Sequence, residues 1–344
     1  MASPVAGPSW VSGRASSTGG GADGSIRPRR AVLASQSGAA SVGPAAGEGR
    51  LTKTLDRRTA VSGGLTLALG ASACGAADPV TPVGSASGPP RRIVSVNPCL
   101  DVILLEIADR SQIAALSHYS SDRYSSTIAG EARQLPSTRG TIEEIISLSP
   151  DLVLSGPGQA RVDLLERLGV RAGVFPVPET VADSLKQVRE VATLIGYPDR
   201  GEAVVARIEA ALQATAPAPG AKPLSALVFM PGGFASAPGT LMDEMLTRTG
   251  FRNAATDYGL RQSMSVPLER IIADPPDVLL SGEATAGAPS RAERLVRHPA
   301  LASVAERIRR ATFPERLLFC GGPVLIQTAA ALARARDAAQ TRSA

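Results

Sequence analysis

From Arg91 onward, apolar positions fall in short blocks that switch between a two-residue and a helical period. Residues 93–97 (IVSVN) are rich in β-branched side chains and predict a strand, followed by an apolar helix over 100–108 and a second strand over 113–116. Strand 152–154, helix 162–168, strand 170–177 and a longer helix over 181–195 continue the series. Between residues 199 and 215, Val204, Val205, Ile208, Ala211 and Leu212 form one helical stripe, and APAPGAKP (216–223) closes it. A second series follows, with strand 224–230, helix 240–249, a helix near 291–296, strand 317–319 and a final helix over about 324–336. Strands joined by helical crossovers require parallel pairing. The expected fold is therefore α/β, with two lobes (91–197 and 217–344) of mainly parallel sheet joined by a single long rigid helix over 198–216.

One pattern occurs twice. TIEEIISLSPDLVLSG (141–156) returns 126 residues later as PLERIIADPPDVLLSG (267–282), with eight of sixteen positions identical. Each copy reads as a short helix with a glutamate near its start (Glu143, Glu269), a Pro-Asp break, and an apolar strand ending in Ser-Gly. The ordered repeat predicts two related lobes.

Composition alters this picture mainly before residue 91. The formal charge of +5 suggests a basic protein, but 8 of 36 Lys/Arg and 3 of 31 Asp/Glu lie in residues 1–74, which leaves 28 of each in the remainder. A nucleic-acid binder keeps its basic patch in the folded part, so that class loses its support. Residues 1–50 are rich in Gly, Ala, Ser and Pro and hold the sole tryptophan, Trp10. They are expected to be a disordered extension, or to be untranslated if the start lies near Leu51. Lys53, Arg57 and Arg58 then precede an uncharged run of about 14 small and apolar residues, Ala60 to Ala73. This is the layout of an export signal over 51–77, and the run falls short of the roughly 20 residues of a spanning helix. Ala71-Ser72-Ala73 fits a cleavage site, and the following Cys74 resembles a lipidation site. Two outcomes stay open: release into the periplasm, or a lipid anchor at the outer face of the cytoplasmic membrane. Arg57-Arg58 likewise leaves the general and twin-arginine export routes open. Four prolines with Gly and Ser make 78–90 a flexible tether.

In an open parallel sheet the usable surface lies beyond the carboxyl ends of the strands. That rule collects Asn97, Pro98 and Cys99; His118 and Tyr119; Gly156 and Pro157; Gly232, Gly233 and Phe234; Glu283; and Gly321 as candidate ligand contacts. Glycines there let backbone N–H groups approach a ligand, although each also fits the plain role of ending a strand. No catalytic set assembles: the Pro-Gly-Gly at 231–233 lacks the Lys-Ser/Thr of a phosphate loop, and no Gly-x-Ser-x-Gly turn occurs. Three cysteines and two histidines are too few and too scattered for a zinc site, so no resident metal or cofactor is expected. His118 stands either as a ligand contact or as a loop hydrogen-bonding residue, and His298 reads as a helix-end residue. Cys99 and Cys320, one per lobe, are both placed to face a cleft; a bridge between them would fix the lobes together, and their pairing stays open.

RRIVSVNPCLDVILLEIA (91–108), SHYSSD (117–122), TIEEIISLSPDLVLSG, LLERLGV (164–170) and the linking helix resemble the substrate-binding proteins of bacterial ABC importers for vitamin B12 and ferric siderophores. The resemblance covers about residues 91–338 and implies a class III periplasmic binding protein, a monomer that is not an enzyme. It further implies a small-molecule metal chelate held between the lobes, and an ABC permease with its ATPase as partner. In that family one surface glutamate per lobe docks on permease arginines; the matching positions are Glu143 and Glu269. The chain departs from B12 binders in its pocket chemistry, since aromatic residues are 3% of the chain and no tryptophan follows Trp10. Tyr119, Tyr124, Phe234 and Tyr258 remain, and Arg123, Arg139 and Arg261 are candidates to pair with siderophore carboxylates or a haem propionate. A metal-cofactor enzyme or chelatase, and a ligand-sensing receptor subunit, are alternatives that share the two-lobed plan.

Overall fold

The computed structural model describes residues 88–230, 233–282, 298, 299, 304 and 306–341, all within the unit Ala76–Ala344. The N-terminal extension, the export signal with Cys74, most of the tether, Gly232, Glu283 and the helix expected near 291–296 lie outside the described residues.

Strands β1 (Ile93–Ser95), β2 (Ile113–Ser117), β3 (Ser137–Thr138), β4 (Leu152–Ser155) and β5 (Arg171–Val174) form an all-parallel sheet in the order β3-β2-β1-β4-β5. The second sheet contains β6 (Leu224–Phe229), β7 (Phe234–Ala235), β8 (Phe251–Asn253), β9 (Met264–Ser265), β10 (Val278–Ser281) and β11 (Arg309–Thr312). Here β8, β10 and β11 pair in parallel around β6, while β7 and β9 are antiparallel. Helices α1 (Pro98–Ile107), α2 (Ala129–Ala132), α3 (Ile142–Ser147), α4 (Val162–Arg167) and α5 (Val181–Ile195) accompany the first sheet. The link is α6 (Pro198–Ala214), and α7 (Leu241–Arg248), α8 (Leu268–Ala273) and the C-terminal helix Val324–Thr341 accompany the second.

Helix ends follow from local chemistry. Asn97 accepts from the N–H groups of Cys99 and Leu100, with Pro98 in the first turn of α1. Thr141, Thr180 and Thr240 accept from the N–H groups of Glu144, Asp183 and Asp243 at the starts of α3, α5 and α7. Gly196, at φ +92°, ends α5 in the left-handed region that glycine favours.

Strand periodicity then sorts side chains between two cores. Ile93, Leu152, Leu154, Ala226, Val228, Val278 and Leu280 enter a central core shared by both lobes. Their neighbours Val94 and Val153 enter an outer core of the first lobe, and Leu227, Phe229 and Leu279 an outer core of the second. The repeat is visible in this packing, because Ile145 of α3 and Ile271 of α8 fill the equivalent outer cores. The Asp of each Pro-Asp break ties the first strand of its lobe. Asp151 accepts from the N–H groups of Arg91 and Arg92 at 2.7 and 3.0 Å, and Asp277 accepts from the N–H and hydroxyl of Ser225 at 2.7 and 2.8 Å.

One expected strand is corrected. Residues 317–319 do not pair; Glu315–Leu317 is a 3-10 turn behind Pro314, with Leu317 buried as its anchor. The strand of this region is β11, whose sequence Arg-Arg-Ala-Thr hides it among polar residues because it lies at a sheet edge. The first lobe's last strand also stops earlier than expected, at Val174. Pro176 and Pro178 have no N–H to extend its ladder.

Candidate ligand-binding cleft

Past Val174 the chain Phe175-Pro176-Val177-Pro178 runs along the seam between the lobes. A cleft of about 400 Å3 opens there, walled by Val177 and Pro178 from the first lobe, by Phe234, Met242 and Ser263 from the second, and by Phe319. A smaller cavity of about 20 Å3 adjoins it, lined by Asn97, Cys99, Phe175, Gln187 and the same Phe319. Val177 is 71% exposed, Phe319 53% and Phe234 36%, so the shared wall presents apolar side chains to solvent. Such a patch inside a concave seam is suited to an apolar or flat ligand surface.

The other candidate residues divide into those that build the cleft and those that lie elsewhere. Asn97 caps α1, and its Nδ2 donates to Gln159 Oε1 at 2.9 Å; the same oxygen accepts the Gly156 N–H at 2.8 Å. A Cβ on Gly156 would stand 2.9 Å from Gln159 Oε1 and 3.0 Å from Asn97 Nδ2, so a larger residue would push these two side chains aside. Asn97 and Gly156 are thus brought together, with their polar groups engaged in holding the loop. Pro98 is half-buried and Pro157 exposed. Gly233, buried at φ +81°, turns β6 into β7 and so delivers Phe234. Gly321 is buried on the first lobe, where its Cβ would meet Ser184 Oγ at 2.5 Å and Pro178 Cγ at 2.9 Å.

His118 and Tyr119 open the 3-10 turn after β2 with ring centroids 4.0 Å apart, and Tyr119 is 58% exposed; they line neither of these two cavities. Arg261 is exposed and lines neither. Arg123 stacks on the ring of Tyr124 at 4.6 Å. Tyr258 requires a correction. It is buried in the second lobe's outer core beside Leu227 and Ile271, and its hydroxyl donates to the Asp274 carbonyl at 2.7 Å, so it presents no face to the cleft. Burial pushes its phenol pKa up, with Asp274 adding to the shift.

Asp101 has a larger role than its sequence position suggests. It is fully buried in α1, and its Oδ2 accepts from the Ser117 N–H at 2.9 Å and the Ser120 hydroxyl at 2.6 Å. It therefore anchors both ends of the segment that carries His118 and Tyr119. Burial pushes its carboxyl up to about 7, against the hydrogen bonds from the Ser120 hydroxyl and the Ser117 N–H that pull it down. The available signal was an aspartate inside Leu100-Asp101-Val102-Ile103-Leu104, an otherwise apolar run. Burial likewise raises the pKa of Glu315, assisted by the negative charge of Asp122.

Cys99 and Cys320 form a disulfide with Cα atoms 5.1 Å apart. Glu143 and Glu269 are both exposed, each in the first turn of a helix that leads into the next parallel strand. A crossover helix runs opposite to its strands, so both glutamates lie at the carboxyl ends of their sheets. Among the described residues no group of three or more His, Cys, Asp or Glu side chains is placed to hold a metal ion, and no helix is long and apolar enough to cross a membrane.

A sequence model of the family described as periplasmic binding protein matches residues 93–305, more than half of the chain. The chain belongs to this family. Its two-lobed α/β fold is that of the class III periplasmic binding proteins. The periplasmic heme-binding protein RhuT from Roseiflexus sp. RS-1 shares 24% identity at a TM-score of 0.58, covering 74% of this chain and 100% of that one. The periplasmic vitamin B12 binding protein BtuF of Vibrio cholerae shares 16% identity at a TM-score of 0.57, covering 73% and 98%. These identities speak to the fold alone. A cobalamin-binding protein of Halobacterium salinarum is 23% identical over 201 residues, 56% of this chain, and the match spans only 54% of that relative's length.

Proposed function

We propose that this periplasmic binding protein is an exported solute-binding protein that captures a metal chelate between its lobes and delivers it to an ABC permease. The chelate class is a ferric siderophore, haem or cobalamin, molecules that bring their own ligands to the metal. The observation that carries the reading is the cleft of about 400 Å3 at the lobe seam, walled by exposed Val177, Phe234 and Phe319. Relatives named for haem and for cobalamin support the same class. Glu143 and Glu269, exposed at the carboxyl ends of the two sheets, are the docking residues on this reading. Capture takes place in the periplasm or at the outer face of the cytoplasmic membrane, and Cys74 supplies a lipid anchor if it is modified.

The test is a titration of the purified protein with haem, cobalamin and a set of ferric siderophores, followed by absorbance and thermal unfolding. One chelate class should saturate at one equivalent per chain and raise the melting temperature by mass action. Absence of saturable binding across the whole set would sink the proposal.

A further inference from the structure

We propose that the Cys99–Cys320 disulfide is a working part of the capture site: it holds Phe319 of the second lobe against the first lobe's wall, and the oxidised form is the one that binds chelate tightly. This rests on the capture function proposed above.

The bridge joins positions 221 residues apart, one in each lobe. On the first lobe, Cys99 lies in the opening turn of α1, a helix whose start is set by the Asn97 cap and Pro98. The other end of α1 is fastened to the linking helix, because Arg200 of α6 donates to the Ile107 carbonyl and Asp109 at 2.8 and 2.9 Å. The helix is therefore a rigid post with its base on the linker and its tip at the cleft. On the second lobe, Cys320 ends the stretch that leads to the C-terminal helix. The two glycines after it press this stretch onto the first lobe. Gly322, at φ +61°, donates its N–H to Ser184 Oγ at 2.6 Å, and a Cβ there would stand 3.0 Å from Ile103 of α1.

Phe319 directly precedes Cys320 and borders both the cleft and the small cavity beside it. Its carbonyl oxygen lies 3.6 Å from Cys99 Sγ, yet its side chain remains 53% exposed. The disulfide at the next residue, together with the Gly322 N–H bond to Ser184, holds the backbone that carries this half-exposed ring. A ring already held in position spares a ligand the cost of ordering it, and this saving appears as affinity. Thiols in the cytosol stay reduced, so on an exported chain the site is completed only after export.

The experiment compares chelate affinity of the wild-type protein, oxidised and after dithiothreitol, with Cys99→Ser/Cys320→Ser, Phe319→Ala and the combination of all three substitutions. Dithiothreitol supplies the two electrons and two protons that convert the cystine to two thiols, and closes to its own cyclic disulfide. Loss of the bridge is expected to weaken binding about tenfold, in line with the ordering cost of a side chain and its loop. Phe319→Ala with the bridge intact should give a similar loss without lowering the melting temperature of the free protein. In the triple variant the two losses should overlap rather than add, since both remove the same preorganised ring. If the double serine variant fails to fold, the wild type reduced after folding and checked by circular dichroism provides the same comparison. Equal affinity of oxidised and reduced protein overturns the proposal, and so do fully additive losses. Failure of the oxidised wild type to bind any chelate instead overturns the capture function itself.

Discussion

Asp101 shows how one buried residue can organise an exposed loop at a strand end. In the unfolded chain its carboxyl ionises near the usual 3.8, and in the folded protein at about 7. Between those values the native state keeps a proton that the unfolded state has lost, so this group's contribution to stability declines as pH rises from about 4 to about 7, then levels off. Asp101→Asn stays neutral throughout and retains an oxygen for the Ser117 N–H. We expect the variant to match wild type at pH 4, to gain on it steadily as pH rises, and to melt higher above pH 7, read from thermal unfolding between pH 4 and 8. A constant gap across the range would refute the assigned titration. Single residues were also the least legible in the sequence. Tyr258 passed as a ligand residue because its chemistry suits one, whereas its ring turns inward onto Leu227 and Ile271.

At the scale of elements, the spacing of α5 and α6 depends on Gly201. A Cβ at this position would lie 2.4 Å from the Cβ of Ala192, closer than two such atoms can pack. Gly201→Ala gains about 1 kcal/mol of helix propensity but forces the helices apart, at about 1–3 kcal/mol for overpacking. The overpacking term wins, and a net loss on the order of 1 kcal/mol is expected in urea unfolding. Adding Ala192→Gly should restore the clearance; a double variant no better than the single one would show that another contact sets the spacing. Helices and strands with a sustained apolar period were legible in the sequence, and α5 begins and ends where its pattern does. Two-residue strands such as β3, β7 and β9 carry no period at all, and β11 lies at an edge where arginines are tolerated.

For the whole molecule, the decisive feature is that the central core does not stop at the lobe boundary. Leu104 of α1, Val188 of α5, Val205 and Ile208 of α6, Met245 of α7 and Leu332 of the C-terminal helix belong to one apolar cluster. Glu244 of α7 adds a tie across the seam by accepting the Val181 N–H at 2.7 Å. Wide opening of the lobes would expose core side chains at about 1.5–3 kcal/mol each. Chelate binding should therefore leave the radius of gyration nearly unchanged in solution scattering, and a large compaction would contradict this account. The docking and the capture proposed above are separable by substitution. Glu143→Ala/Glu269→Ala should retain chelate affinity while uptake by cells carrying the permease falls sharply, with each single variant intermediate. Undiminished uptake in the double variant would remove the docking assignment.

What the sequence determined by itself was the local and the periodic: the alternation of strand and helix, and the repeat with its paired glutamates and Pro-Asp breaks. Those features are readable because each is encoded within a few neighbouring residues or by a fixed period. The tertiary structure alone decided which strand ends meet at the cleft, that Cys99 and Cys320 pair, that Phe319 stands between two cavities, and that Asp101 anchors the turn carrying His118 and Tyr119. Each of these depends on contacts between residues far apart in the chain, whose distance is set by how two sheets and a linking helix pack and by no pattern along the chain.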